Sequence, residues 1–192
     1  MKVGSLIKDA LILFAITLVL GLALSVAKVV TQPAIDKAAA ESQLKAFNAV
    51  CPGYSTADDL SNEFLEYKSQ YKAKIRFSKD GKEAVLRAKD SSGNVIGYII
   101  QATSKGFGGD LNLIIGFDID GKITGVRYAN TPSETPGVGM KTTKEDFLKK
   151  WVDKNSDDVD TVDTISGATI SSTAFKEAMK LACDVCDEAK II

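Results

Sequence analysis

The chain has 192 residues, which is room for one globular domain plus appendages. Its 24 lysines and arginines nearly balance 25 aspartates and glutamates, so no basic field argues for nucleic acid and no acidic tail argues for disorder. The absence of histidine excludes Ser-His-Asp and Cys-His catalysis and every zinc site that needs imidazole, which points any chemistry toward a cofactor.

Residues Ala10 to Ala27 form an uncharged apolar run between Lys8-Asp9 and Lys28. With Val29 and Val30 it is long enough to cross a hydrocarbon core of roughly 30 Å. A cleaved signal peptide is the competing reading, because Ser25-Val26-Ala27 offers small residues to a peptidase. The run exceeds a usual h-region, and that favours a retained membrane anchor. Lys2 and Lys8 point the amino terminus toward the cytoplasm, and Lys28 and Lys37 weaken that asymmetry. Thr31-Gln32-Pro33 then predicts a helix entry with proline in its first turn, leading into a stalk over Ala34 to Val50. Leu44, Phe47 and Cys51 share one face of that stalk, which should pack its end on the domain, and Cys51-Pro52-Gly53 stops it. The expected organisation is an anchor over 1–30, a helical stalk over 31–53 and an outer domain over 54–192.

Tyr54 to Ser69 reads as loop with a short helix. From Tyr71 onward the apolar period becomes two, predicting strands over Tyr71 to Phe77, Lys82 to Lys89 and Val95 to Ala102. Leu111, Leu113, Ile115, Phe117 and Ile119 alternate, and Asp120-Gly121 is a hairpin signal before a strand over Lys122 to Tyr128. Helices follow as a block, Thr143 to Val152 and Ser172 to Lys190, a segregation that predicts an α+β domain with an antiparallel sheet. No strand leads into a dinucleotide-binding glycine fingerprint.

The last helix carries Phe175, Ala178, Met179, Ala182, Val185, Cys186 and Ala189 at helical spacing, a stripe suited to packing on the sheet. Cys183 and Cys186 form a CxxC pair on or beside that stripe. With Cys51 as the one other cysteine and no histidine, a four-ligand zinc or iron-sulfur site within the chain is not expected. Buried thiols and a disulfide in an oxidising compartment remain as the two readings.

Three loops carry the candidate chemistry. Gly106-Phe107-Gly108-Gly109 either brings backbone close to a ligand at Gly108 and Gly109 or is an ordinary flexible connection. In Glu134-Thr135-Pro136-Gly137-Val138-Gly139-Met140-Lys141, the proline fixes φ and the glycines permit conformations barred to other residues, giving a rigid shelf with exposed N–H groups. Lys141 adds a positive charge there or is a solvated surface residue. The third loop, Asp163 to Thr173, opens into the last helix. A helix start near Ile170 aims N–H groups and a positive dipole end at an anion, Gly167 and Ala168 leave room for it, and Ser166, Thr169, Ser171 and Ser172 offer hydroxyls. A plain N-cap made by one of these hydroxyls is the competing reading.

Ser166-Gly167-Ala168-Thr169-Ile170-Ser171 matches the flavinylation signature of covalent FMN-binding domains: Asp or Ser, Gly, Ala, Ser or Thr, any residue, Ser or Thr. Together with Glu134 to Gly139, it makes the chain resemble the G subunit of the Rnf complex and the related third subunit of the sodium-pumping NADH:quinone reductase. The resemblance implies FMN esterified through its phosphate to the Thr169 hydroxyl, attached by a separate flavin transferase that uses FAD and releases AMP. It implies a domain outside the cytoplasm, acting as one electron relay among the membrane subunits of an ion pump that couples ferredoxin and NAD to sodium or proton transport. The apolar span has Thr17 and Ser25 but no internal charge, so ion translocation falls to partner subunits. A flavin carrier of another membrane electron-transfer chain, and a tethered binding module without redox chemistry, are the rival readings.

Overall fold

The structure is a computed structural model that describes residues 3–67 and 84–191. The expected strand Tyr71 to Phe77 and the first residues of the Lys82 to Lys89 strand lie outside those residues. The chain divides into two compact units, Met1–Gln43 and Leu44–Ile192. The first is one length of helix α1, which runs over Val3–Val50. Leu11, Phe14, Leu18 and Leu22 are all exposed on it. The helix is long and apolar enough to cross a membrane. Pro33 does not begin a new helix, because it lies inside α1. Its missing N–H leaves the Val29 carbonyl without a helical donor, a local loss that the flanking turns tolerate.

Among the described residues of the second unit, a five-stranded antiparallel sheet takes its strands in sequence order: β1 Thr56–Asp59, β2 Val85–Lys89, β3 Val95–Lys105, β4 Asp110–Asp118 and β5 Ile123–Tyr128. Helix α2, Ser61–Tyr67, follows β1. β1 is the strand that the periodicity misses, since Thr-Ala-Asp-Asp has neither alternation nor strong β-formers; pairing with β2 and the Lys89–Asp58 ion pair at 2.7 Å hold it at the edge. β3 and β4 pair in unbroken register from Gly97↔Asp118 to Lys105↔Asp110, and the loop at Gly106 to Gly109 closes their hairpin. Ile119, grouped by alternation with the β4 core residues, is exposed one residue beyond the strand. There the Asp118 carboxylate accepts the N–H groups of Asp120 and Lys122 and turns the chain.

Alternation loads both faces of the sheet. On one face Ile100, Ala102, Leu111, Leu113, Ile115 and Phe117 meet Phe175, Ala178, Met179 and Ala182 of the last helix, α4, which follows the short helix α3, Glu145–Leu148, and spans Thr169–Ala189. The expected stripe from Phe175 to Ala189 is buried throughout. The expected helix over Thr143 to Val152 is instead α3 between two 3-10 turns, Gly139–Thr143 and Lys149–Trp151. Phe147 meets Phe175 edge to face and Trp151 meets it at a tilt, at ring-centroid distances of 5.2 and 5.4 Å, and so they fasten this segment to α4.

On the other face Leu86, Ala88, Ile99 and Ile114 receive Phe47, Val50 and Cys51, the last turn of α1 and the residue after it. Leu44, expected on that face, is exposed one turn earlier, and Val50 takes its place. A notch seats this turn: Gly116 and Gly125 face each other across β4 and β5. A Cβ at Gly116 would stand 2.1 Å from the Val50 carbonyl oxygen, and one at Gly125 would stand 3.0 Å from Val50 Cα. The Thr124 hydroxyl donates to the same carbonyl. One of the helix's orphan terminal acceptors is thereby satisfied inside the sheet.

Candidate functional site

Helix α4 begins at Thr169 with Ala168 as N-cap, and no side chain caps it. Its first internal hydrogen bond runs from the Ser172 N–H to the Ala168 carbonyl at 2.9 Å. Thr169, Ile170 and Ser171 therefore present the donors that a capping hydroxyl would otherwise occupy, at the positive end of a 21-residue helix. The capping role considered for the hydroxyls is not what this geometry shows. Upstream, the Ala168 N–H closes a turn on the Ile165 carbonyl at 2.9 Å, with Gly167 at φ +78°. That angle suits glycine, and nothing lies within 4 Å of where a Gly167 Cβ would be. Ser166, Gly167 and Thr169 are exposed while Ala168 is buried beneath them. The Thr169 hydroxyl makes no hydrogen bond among the described residues.

Two neighbouring hydroxyls have internal duties. Ser172, fully buried, accepts the Ile165 N–H at 3.0 Å and donates to the Ala168 carbonyl at 2.9 Å, pinning the turn from inside. Ser171, also buried, donates to Glu134 Oε2 at 2.6 Å. Glu134 is only 6% exposed, and its Oε1 accepts the Gly108 N–H at 3.1 Å. One carboxylate thus ties the β3–β4 hairpin, the loop containing Glu134 to Gly139, and the start of α4. The glycines there are crowded by protein on the side where a Cβ would project: at Gly108 it would fall 1.8 Å from the Ser133 carbonyl oxygen, and at Gly139 2.3 Å from Glu134 Oε2. Gly109 faces Ser133 Cβ at 3.5 Å. Gly137 differs, with φ +73° and open space where its Cβ would be.

The shelf is also fastened to β5. The Tyr128 hydroxyl donates to Thr142 Oγ1 at 2.8 Å, and the buried Thr142 hydroxyl donates to the Gly139 carbonyl at 2.8 Å. Burial pushes the Tyr128 phenol up to about 12, with the Thr142 hydrogen bond opposing and Glu134 adding to the rise. Thr135, Pro136 and Gly137 are exposed or nearly so at the loop's tip, and Lys141 is partly exposed. A cleft of about 500 Å³ opens beside this loop, lined by Tyr128, Asn130, Pro132, Met140 and Thr143 among others. The residues of the α4 turn do not line it.

The structure therefore gathers the sequence-predicted residues into one end of the domain but sorts them by layer. Thr169, Ser166, Gly167, Thr135, Pro136 and Gly137 lie at the surface; Ala168, Ser171, Glu134 and Gly139 lie beneath. Thr142 is the contributor that motif reasoning left out, and Ser172, counted there among the hydroxyls offered to an anion, is instead buried in bonds to its own turn. A buried hydroxyl one turn into a helix carries no signal distinct from its exposed neighbours. The surface set fits a phosphate, because an uncapped helix start, an open glycine turn and an unengaged hydroxyl converge there. Cys183 and Cys186 are free and buried in the core face of α4, the arrangement that the buried-thiol reading expects. Among the described residues no group of His, Cys, Asp and Glu could hold a metal ion.

Residues 106–184, which contain all three loops, match the family described as FMN-binding domain. The chain is 40% identical over 114 residues to a Methanosarcina acetivorans protein, the G subunit of an ion-translocating oxidoreductase complex, covering 55% of this chain and 60% of that one. It thus spans less than two thirds of the length of this curated relative. A Haemophilus influenzae protein of the same name is 30% identical over 168 residues, covering 78% of this chain and 75% of its own length. Among solved structures, the C subunit of the Na(+)-translocating NADH-quinone reductase from Parabacteroides distasonis has a TM-score of 0.50 at 17% identity, covering 80% of this chain and 92% of that one, a likeness of fold. The chain belongs to the family of G subunits of ion-translocating oxidoreductase complexes and carries an FMN-binding domain.

Proposed function

We propose that this chain is an electron carrier whose FMN is joined by a phosphoester to Thr169. The observation that carries this reading is the exposed, unengaged Thr169 hydroxyl at the first residue of an uncapped helix, beside the open Gly167 turn. In attachment, Thr169 Oγ forms a bond to the FMN-side phosphorus of FAD, the pyrophosphate P–O bond breaks and AMP departs. The hydroxyl proton passes to the flavin transferase that catalyses the exchange, since an unassisted threonine is a poor nucleophile. The N–H groups at the start of α4 and the Ser166–Ala168 turn hold the phosphate once attached. The Thr135 and Gly137 N–H groups would face the ring, Pro136 having none to offer, and Lys141 would add its charge at the edge of that shelf. When bound, FMN supplies reversible electron transfer.

The domain works outside the cytoplasm, held by the anchor over 1–30 and the stalk over 31–53, as one relay in a membrane complex that exchanges electrons between ferredoxin and NAD and moves an ion through other subunits. The family membership supports a place in an ion-translocating oxidoreductase complex, and the uncharged apolar run Ala10 to Ala27 within α1 supports the anchor. The deciding experiment is intact mass and in-gel flavin fluorescence of wild type and Thr169→Ala, each coexpressed with a flavin transferase. Wild type should gain the mass of FMN less water and Thr169→Ala should gain none. Two unmodified proteins would refute the covalent attachment, and two modified ones would move it to another hydroxyl.

A further inference from the structure

We infer that Glu134 is a positioning residue that assembles the FMN site from its three loops and does not itself touch the cofactor; the inference rests on the function proposed above. Both carboxylate oxygens are already engaged, one by the Gly108 N–H at 3.1 Å and the other by the Ser171 hydroxyl at 2.6 Å. The side chain is 6% exposed, so little of it is left for a ligand at the surface. It is also walled in. A Cβ at Gly106 would come within 2.2 Å of Oε1, and a Cβ at Gly139 within 2.3 Å of Oε2 and 2.8 Å of Ser171 Oγ. Glycine at these two positions is what lets the β3–β4 hairpin and the 3-10 turn close around the carboxylate.

Both bonds are accepted by Glu134, so the side chain acts as a carboxylate with neutral donors, and no lysine or arginine pairs with it among the described residues. The compensation comes from Ser171, the third residue of α4, which places the negative charge near the positive end of that helix. Glu134 therefore fixes three things at once: the rotamer of Ser171, the height of the Gly108 backbone, and the path of the loop that begins at its own Cα. Thr169 lies two residues before Ser171 on the first turn of α4, so its hydroxyl is aimed by the turn that Glu134 holds. The effect reaches the attachment point through Ser171 rather than by contact.

The test compares wild type with Glu134→Gln, Glu134→Ala, Ser171→Ala and the Glu134→Ala/Ser171→Ala double variant in the full chain. FAD and a flavin transferase are supplied, and the rate of FMN incorporation is read by intact mass. Glutamine keeps an acceptor for Gly108 and an amide for the Ser171 oxygen, so Glu134→Gln should load within a few-fold of wild type. Glu134→Ala should load about tenfold or more slowly, as expected when a buried charge-assisted hydrogen bond is removed. The double variant should be no slower than Glu134→Ala alone, because the two residues act in series. Additive losses in the double variant, or Glu134→Gln as slow as Glu134→Ala, would overturn the inference, the second by marking a charge that acts directly on the cofactor. Glu134→Ala loading at the wild-type rate would overturn it as well. Should wild type itself take up no flavin, the proposed function fails, and thermal melts of the same five apo proteins test Glu134 alone: non-additive losses support the Glu134–Ser171 tie, and additive ones refute it.

Discussion

Replacing Gly116 by alanine should release the end of α1 from the sheet. The added Cβ would stand 2.1 Å from the Val50 carbonyl oxygen, 2.5 Å from its carbon and 2.9 Å from Thr124 Oγ1. Two of these atoms are backbone, so no rotamer change relieves the contact, and the last turn of α1 must lift. Lifting exposes Phe47 and Val50, now 3% and 0% exposed, and separates the Thr124 hydroxyl from the Val50 carbonyl. Full burial of each apolar side chain is worth about 1.5–3 kcal/mol and the hydrogen bond about 1 kcal/mol. A partial lift should therefore cost about 3–5 kcal/mol, a large share of an ordinary domain's stability. Urea unfolding in detergent, followed by the fluorescence of Trp151, reads it directly, since Trp151 is the chain's single tryptophan and is 1% exposed. Gly137→Ala is the control, because its φ of +73° with open space around it predicts only about 1 kcal/mol of backbone strain. If Gly116→Ala stays within about 0.5 kcal/mol of wild type, in the range of an ordinary surface change, the helix end is not seated in the notch.

Ser172→Ala should cost about 1–2 kcal/mol in the same urea assay, since it strands the Ile165 N–H and frees the turn before Thr169; an unchanged midpoint would show that the turn is held by something else. Burial first, reinforced by Asp187 and Asp184, pushes the Cys183 thiol up to about 12, and burial against the opposing Lys190 does the same for Cys186. Both should ignore iodoacetamide at pH 8 in the folded protein and react once urea unfolds it; rapid native labelling would contradict the packing of α4. For thiols raised on folding, the stabilising contribution is whole below the ordinary value of 9.0 and is lost as pH rises through about 12. Unfolding midpoints should therefore fall above pH 9, and less steeply in a Cys183→Ala/Cys186→Ala variant.

The strands from Val85 to Tyr128 were legible because alternation survives in them: Leu111, Leu113, Ile115 and Phe117 are each buried as their spacing predicts. β1 was not, since an edge strand of Thr-Ala-Asp-Asp is specified by its partner rather than by its own side chains. A helix start near Ile170 lies one residue from the observed Thr169, whereas the helix span read from Ser172 begins three residues late. The layering of the site was not legible. Glu134 and Ser171 are 37 positions apart, and nothing local says that a carboxylate beside a proline-glycine shelf will be buried under it. Glycines that admit a ligand and glycines that admit the protein's own backbone look alike in sequence; only the atoms facing Gly137 and Gly108 tell them apart.

The notch at Gly116 and the turn at Gly109 sit at opposite ends of the same stretch of chain, seven residues apart, so about 23 Å of extended chain lies between them at ~3.3 Å per residue. β4 is in this sense a ruler, with the seat of the α1 end near one tip and the loops that gather around Glu134 at the other. Its graduations come in pairs. Adding two residues to both β3 and β4 would lengthen the reach by about 7 Å and keep every apolar side chain on its own face, whereas adding one would turn the α4-facing row outward. The span between the seat and the site can thus change only in steps of about 7 Å, a coarse spacing that the β3–β4 hairpin imposes on any chain built to this plan.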